Sequence, residues 1–223
     1  DSILMVNGTL NPLVNLPAQV VRLRLLNASQ ERTFNFGLTG NKSFYVIGND
    51  GGLLAAPVST TRISVSPGER AEVLVDLTGM SGQSIYLRSY GSELPSDVRG
   101  GPPMNMGGNT MYSPLDGKDF NILSISVVKT TANAVITIPT TLVSVLRLQQ
   151  TNVNETRAIN FTAQNMMVMD GPFYFNDSLF NMNRIDYHIP LNNTEIWALN
   201  DQTMVAHPFH IHGVQFQILD RDG

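Results

Sequence analysis

The most informative stretch for function is residues 207–222, which read HPFHIHGVQFQILDRD. It contains His207, His210 and His212, three of the four histidines of the chain. A lone histidine such as His188 is ordinarily a structural residue. Burying neighbouring imidazoles without a metal or an acidic partner would instead cost roughly 1–3 kcal/mol each. The H-x-x-H-x-H spacing therefore predicts a metal site, although imidazole suits copper, zinc, iron and nickel and does not choose between them.

The residues that follow the histidines alternate in polarity. Positions 214, 216 and 218 are apolar and share the parity of His210 and His212, whereas 215 and 217 are polar. Alternation with a period of two is typical of a half-buried strand. A strand from His210 to Leu219 would point both imidazoles toward the interior and leave His207, which precedes Pro208, facing elsewhere. The pattern predicts two ligands for one metal centre and one ligand for a neighbouring centre.

The composition favours an all-β protein. Of the 223 residues, 42% are hydrophobic and only 14% are charged, and 18 glycines and 12 prolines interrupt short apolar runs. The sequence shows neither the periodicity of a long helix nor the roughly 18 apolar residues of a membrane span. A net charge of −4 without a basic cluster argues against a nucleic-acid partner. The predicted strands are 20–26, 43–48, 62–66, 71–77 and 122–128, followed by Leu142–Leu148, Ala158–Thr162, Tyr187–Pro190, Glu195–Leu199 and His210–Leu219.

The chain contains no cysteine. Disulfides, cysteine-ligated zinc and thiol catalysis are therefore excluded for this chain. A blue-copper centre holds its metal between two histidines and a cysteine thiolate, so this chain alone does not complete one.

The histidine motif resembles the H-P-x-H-x-H-G motif in the third domain of the multicopper oxidases, which include laccases and cuprous oxidases. Further matches occur upstream in the expected order, and the resemblance is closest to the bacterial branch. They are Ile3–Gly8, Val21–Ala28, Phe44–Leu54, Pro67–Asp76 and Asn193–Asn200.

The resemblance implies cupredoxin-like Greek-key β-sandwiches, one complete and one partial. Residues 1–130 would be a second domain without copper ligands, 131–139 a linker, and 140–223 the N-terminal part of a copper-binding third domain. The missing partners would be a first domain and the C-terminal part of the third domain. We expect Trp197, Val214, Phe216 and Ile218 to be buried in the partial sandwich.

The resemblance also implies a function that depends on copper. The parent enzyme would couple one-electron oxidation of a phenol, aromatic amine or metal ion to reduction of O2 to water, in the periplasm or outside the cell. His207 would bind the mononuclear copper, and His210 and His212 would bind the trinuclear cluster. The chain alone is expected to be inactive, because other ligands of both centres lie outside it.

Two other hypotheses stay open at this point. The chain could be a non-catalytic scaffold related to these oxidases, or an unrelated β domain in which the three histidines bind zinc and a water. Met-rich segments raise a further hypothesis of Cu(I) delivery, against the simpler interpretation of flexible packing. Those methionines are Met104, Met106, Met111, Met166, Met167 and Met169.

Overall fold

Regular structure is almost entirely β-strand in the computed structural model, which describes residues 3–104, 113–165 and 171–221. The chain divides into two compact units, Asp1–Val145 (unit 1) and Leu146–Gly223 (unit 2). The all-β prediction is confirmed. Within the described ranges, no helix is long and apolar enough to cross a membrane.

Unit 1 is a β-sandwich. Its strands are β1 (Met5–Val6), β2 (Thr9–Leu10), β3 (Leu13–Pro17), β4 (Val20–Leu26), β5 (Phe34–Leu38), β6 (Phe44–Asn49), β7 (Gly52–Thr60), β8 (Ile63–Val65), β9 (Arg70–Asp76), β10 (Ser84–Tyr90) and β11 (Asp119–Val128). One sheet has the order β3-β11-β10-β5-β8 and the other β4-β9-β6-β7, while β1 and β2 form a small hairpin. All pairs are antiparallel except β3 with β11, which are parallel.

The core of unit 1 lies between these two sheets. In β9, the inward-facing residues Ala71, Val73 and Val75 are at most 3% exposed, and they alternate with partly exposed neighbours. They share one apolar cluster with residues of the opposite sheet, including Leu38 at 1% exposure. Leu77, just after β9, is 0% exposed. Period-two burial on facing sheets is what makes this unit a closed sandwich.

The five strands predicted in unit 1 all form, with bounds that differ from the expected ones by at most three residues. Four strands of five or more residues were not predicted: β3, β5, β7 and β10. Two of them depart from simple alternation: β5 is buried at four consecutive residues, and β7 is mostly exposed. Neither pattern carries the period of two on which the strand predictions rested.

The segment after β11 is tied to both edges of the four-stranded sheet. Val20 in edge strand β4 donates its backbone N–H to the carbonyl of Val135 at 2.7 Å, and Leu142 donates to Ala55 in edge strand β7 at 2.9 Å. These bonds agree with the extension of unit 1 to residue 145. The predicted strand Leu142–Leu148 does not form, and the predicted boundaries at 130 and 139 stay predictions.

Two buried polar groups hold the turns of unit 1. Arg32, whose side chain is 4% exposed, pairs with Asp116 at 2.6 Å. Asn27, 1% exposed, donates its Nδ2 to the carbonyls of Arg32 at 2.7 Å and Val65 at 2.8 Å. Its Oδ1 accepts from the backbone N–H of Ser29 at 3.0 Å and from the hydroxyl of Ser29 at 2.7 Å. The bonds of Asn27 and the ion pair of Arg32 satisfy polar atoms that would otherwise be costly to bury.

Unit 2 has a smaller sheet. Its strands are β12 (Glu155–Ala163), β13 (Phe173–Phe175) and β14 (Glu195–Asp201), in the order β13-β12-β14. β12 pairs antiparallel with β13 and parallel with β14. Among the residues described in unit 2, the buried hydrophobic side chains are Ile159 at 2% and Val205 at 9% exposure. The predicted strand Tyr187–Pro190 does not form, whereas the predictions behind β12 and β14 are confirmed.

Candidate metal site

The histidine motif lies in a loop that leaves the end of β14. At the start of the loop, the carboxylate of Asp201 accepts hydrogen bonds from the backbone N–H of Thr203 at 2.9 Å and from its hydroxyl at 2.7 Å. Val205 follows and is buried. The loop is therefore anchored immediately before the first histidine.

His207 lies against aromatic rings of the sheet. Its ring centroid is 4.4 Å from that of Phe161 in β12 and 5.0 Å from that of Phe173 in β13, with interplanar angles of 74° and 70°. The two phenyl rings are themselves stacked, 5.4 Å apart at 25°. His207 thus contacts both rings edge to face, a favourable arrangement for aromatic pairs.

His210 and His212 lie next to each other. Their ring centroids are 5.9 Å apart and the planes are inclined by 57°. The adjacency agrees with the expectation that these two side chains share one side of the chain. The arrangement brings His210 and His212 together and gives His207 a different environment.

The strand predicted for His210–Leu219 is wrong in this structure. A turn occurs at His212-Gly213, where Gly213 has a φ of 82°, and residues 215–220 form no regular secondary structure. The neighbouring segment instead bonds through a side chain, because Gln217 accepts from the N–H of Leu148 at 3.1 Å and donates to the carbonyl of Leu146 at 2.7 Å. The two segments are adjacent, but no backbone ladder forms between them.

The expected burial after the histidines is also wrong. Val214, Phe216 and Ile218 are 57%, 53% and 54% exposed, and Trp197 is only partly buried. The physical reason is that the described part of unit 2 contains one sheet and no second sheet to face it. An alternating pattern identifies the apolar side of a segment, but burial needs a partner surface.

A charged and aromatic network supports the sheet beside the motif. The Glu195 carboxylate is 4% exposed and accepts three hydrogen bonds. Arg157 donates through Nε at 2.7 Å and through Nη2 at 3.0 Å, and Trp197 donates through Nε1 at 2.9 Å. These hydrogen bonds, that from Arg157 first, lower the pKa of Glu195 below its ordinary value. Trp197 in turn contacts Phe209, inside the motif, at a centroid distance of 6.3 Å. The network links β12 and β14 to the histidine loop.

The donor chemistry of this chain fits part of a copper site. Three imidazoles are present, and imidazole is a good copper ligand. Among the described residues, no three His, Cys, Asp or Glu side chains converge as a complete metal site. The assignment of His207, His210 and His212 as metal ligands therefore stays a prediction.

Other sequence candidates contribute less. Of the methionines singled out, Met104 is partly exposed. Met106, Met111, Met166, Met167 and Met169 lie outside the described residues. His188 is exposed and outside the motif. The contact residues Phe161 and Phe173 were not predicted, because their proximity to His207 depends on ring contacts across 34 or more residues of sequence.

Comparison with known proteins identifies the family. Two sequence models, both described as multicopper oxidase, match residues 6–105 and 147–223. Cell division protein FtsP of Xenorhabdus nematophila is 31% identical over 220 residues, covering 99% of this chain and 42% of that protein. Multicopper oxidase mco of Staphylococcus haemolyticus is 30% identical over 223 residues, covering 98% of this chain and 39% of that protein.

A solved structure agrees with these matches. The McoA multicopper oxidase of the hyperthermophile Aquifex aeolicus aligns with a TM-score of 0.76 at 28% identity, covering 98% of this chain and 45% of that one. The chain spans about 40% of the length of the curated relatives it matches. Family matches at both ends, the shared cupredoxin-like fold and the histidine motif lead to one conclusion. The chain belongs to the multicopper oxidase family, whose cofactor is copper.

Proposed function

We propose that this chain is a portion of a copper oxidase that couples one-electron oxidation of a donor to reduction of O2. The donor would be a phenol, an aromatic amine or a metal ion. Four one-electron oxidations would supply the electrons that, with four protons, convert one O2 to two water molecules. The full-length protein would work in the periplasm or outside the cell, like the copper oxidases that the sequence resembles.

The three histidines would divide between two copper centres. His207 would help to hold the mononuclear copper that receives electrons from the donor. His210 and His212 would help to hold the trinuclear cluster, where O2 is reduced. The remaining ligands, including the thiolate of the mononuclear centre, would come from outside these 223 residues, because the chain contains no cysteine.

The observation that carries this proposal is the separate environment of His207. Its ring lies on Phe161 and Phe173, whereas His210 and His212 contact each other. Two neighbouring copper centres need this division, with His207 at one centre and the pair His210 and His212 at the other. A single three-histidine zinc centre needs all three imidazoles to converge, and this geometry gives that alternative no support.

A second candidate function has a specific observation in its favour. One of the most similar relatives is a cell division protein, at 31% identity. A non-catalytic scaffold would have no need for copper ligands, so the full H-P-x-H-x-H-G motif favours the oxidase. Copper content of the purified full-length protein separates the two: stoichiometric copper supports the oxidase, and its absence after copper loading supports the scaffold.

The decisive experiment compares histidine variants of the full-length protein. His207→Ala should abolish donor oxidation while copper remains in the trinuclear cluster. His210→Ala or His212→Ala should deplete that cluster, so that donor still reduces the mononuclear copper but O2 does not reoxidise it. Stopped-flow absorption and copper analysis measure both effects, and His188→Ala is the matched control outside the motif. Identical copper loss and the same stalled step in His207→Ala and His212→Ala would refute the two-centre assignment.

The 223-residue chain by itself provides a simpler test. Loaded with copper and assayed alone, it should neither consume O2 with a phenolic donor nor develop an intense blue colour. Oxygen consumption under those conditions would show that the missing ligands are not needed.

A further inference from the structure

The three histidines of the motif differ in how their rings are held. His210 and His212 lie on either side of Ile211 in a segment without strand pairing, and their described ring contact is with each other. His207 also lies outside any strand, but its ring is packed against two residues of the sheet, Phe161 and Phe173. Packing against the sheet therefore restricts the ring of His207.

The two phenyl rings come from neighbouring strands in defined register. Phe161 in β12 pairs with Phe175, and Ala163 in β12 pairs with Phe173 in β13. The strand register brings the rings of Phe161 and Phe173 into a stack 5.4 Å apart. Both are partly buried, and His207 meets both at nearly perpendicular angles. Two simultaneous contacts restrict rotation of the imidazole more than either does alone.

His207 remains exposed despite these contacts. One side of its ring is thus covered by hydrocarbon, while the residue stays accessible. An apolar shell on a metal ligand limits the approach of water and influences the reduction potential of the metal. Excluding water disfavours the more highly charged Cu(II) state, so such a shell raises the potential of a copper centre.

We propose that Phe161 and Phe173 form an aromatic clamp that positions His207 as a copper ligand and raises the potential of the copper it holds. The inference rests on the proposed function and deepens it. The two phenylalanines are positioning residues, since they act through His207. Their effect is confined to the mononuclear centre, because the described ring contacts of the clamp within the motif are with His207.

The test uses copper-loaded full-length protein carrying Phe161→Leu and Phe173→Leu together. Leucine is apolar but smaller than phenylalanine, so the double variant removes both rings and uncovers the side of His207 that they cover. The affinity of the mononuclear centre should fall about tenfold, the low end for loss of an outer-shell partner. Its potential should also fall, while copper in the trinuclear cluster is retained. Chelator competition followed by electron paramagnetic resonance measures the affinity, and a redox titration measures the potential.

Three further variants make the result specific. Phe173→Tyr keeps the ring and should retain wild-type affinity and potential. Phe175→Leu is the matched control, since Phe175 contacts Phe161 at 5.0 Å in the same sheet and no described ring contact joins it to His207. Phe173→Leu alone gives a milder form of the same effect if the double variant does not fold.

The outcomes distinguish failure of the aromatic clamp from failure of the proposed oxidase function. If His207→Ala leaves the mononuclear copper signal intact, the proposed function fails. If His207→Ala removes that signal but the foldable leucine variants match the wild type in affinity and potential, the clamp alone is overturned. An equal change in Phe175→Leu also overturns the clamp, because the effect would then reflect general loss of aromatic packing.

Discussion

The two units use the same strand chemistry but differ in what faces their apolar residues. In unit 1, two sheets close on each other, and Leu38 and Leu77 are 1% and 0% exposed. In unit 2, one described sheet stands without a second, and Phe216 and Ile218 are 53% and 54% exposed. The difference shows that an alternating apolar pattern identifies which side of a strand can pack against a partner surface. The side chains become buried only where that partner surface is present.

The largest effect should follow from opening the closed core. Leu77→Ala removes a fully buried side chain of unit 1 and should lower the free energy of unfolding by about 2–5 kcal/mol. Urea unfolding followed by far-UV circular dichroism measures the loss. A change below about 1 kcal/mol would mean that the sandwich relaxes around the cavity and is less closed than its packing indicates.

The buried ion pair of unit 1 should be nearly as sensitive. Asp116→Asn removes the charge of the carboxylate that pairs with the Arg32 guanidinium, which is 4% exposed, and should cost about 3 kcal/mol. Asp50→Asn is the matched control, because Asp50 pairs with Arg70 at 2.8 Å but both side chains are at least 41% exposed. That surface variant should cost less than about 1 kcal/mol. Equal losses in the same urea assay would contradict the distinction.

Phe216→Ala in the 223-residue chain tests the exposed apolar residues of unit 2. With the side chain half exposed, the loss should be about 1 kcal/mol rather than the 3–5 kcal/mol of a packed core. Trp197, the one tryptophan of the chain, belongs to unit 2 and lies on the same aromatic path through Phe209. Its fluorescence during urea unfolding reports the change. A loss of 3 kcal/mol or more would demonstrate that Phe216 packs into a closed core after all.

The smallest effect concerns pH in unit 2. The pKa of Glu195 lies below its ordinary value of 4.5, chiefly because Arg157 donates to the carboxylate. The resulting stabilisation is fully present above pH 4.5 and is lost as the pH falls through the lowered pKa. Trp197 fluorescence should change over the same pH range, since Trp197 also donates a hydrogen bond to the Glu195 carboxylate. In Glu195→Gln this pH dependence should disappear, and its persistence would assign the titration to another group.

Sequence predicted the class of fold and the strands with clear alternation, such as β4 and β9. It missed β5, where Asn35 and Gly37 are buried among hydrophobic residues and the polarity pattern is broken. A glycine fits best at position 37, because a Cβ would lie 2.9 Å from the backbone oxygen of Thr61 and 2.8 Å from a ring carbon of Tyr90. That constraint arises from tertiary contacts and leaves no periodic signal.

For the candidate site, His210 and His212 lie next to each other and His207 lies against the sheet, while the assignment of all three as metal ligands stays a prediction. The strand predicted from His210 does not form, because alternating polarity does not supply a pairing strand, and the described residues contain none for this segment. The aromatic neighbours of His207 were beyond prediction for a different reason. They depend on the register of β12 and β13, which one sequence does not determine.

Asn27 has a practical consequence for producing the protein. With Ala28 and Ser29 it forms an N-x-S acceptor sequence for N-linked glycosylation in eukaryotic secretory hosts. The nitrogen that would carry the sugar is the one that donates to the carbonyls of Arg32 and Val65, and the residue is 1% exposed. A glycan attached before folding would remove one of these donor hydrogens and would not fit the interior. Secretion from yeast or insect cells is therefore expected to lower the yield of natively folded unit 1. A host that does not attach N-linked glycans avoids this loss.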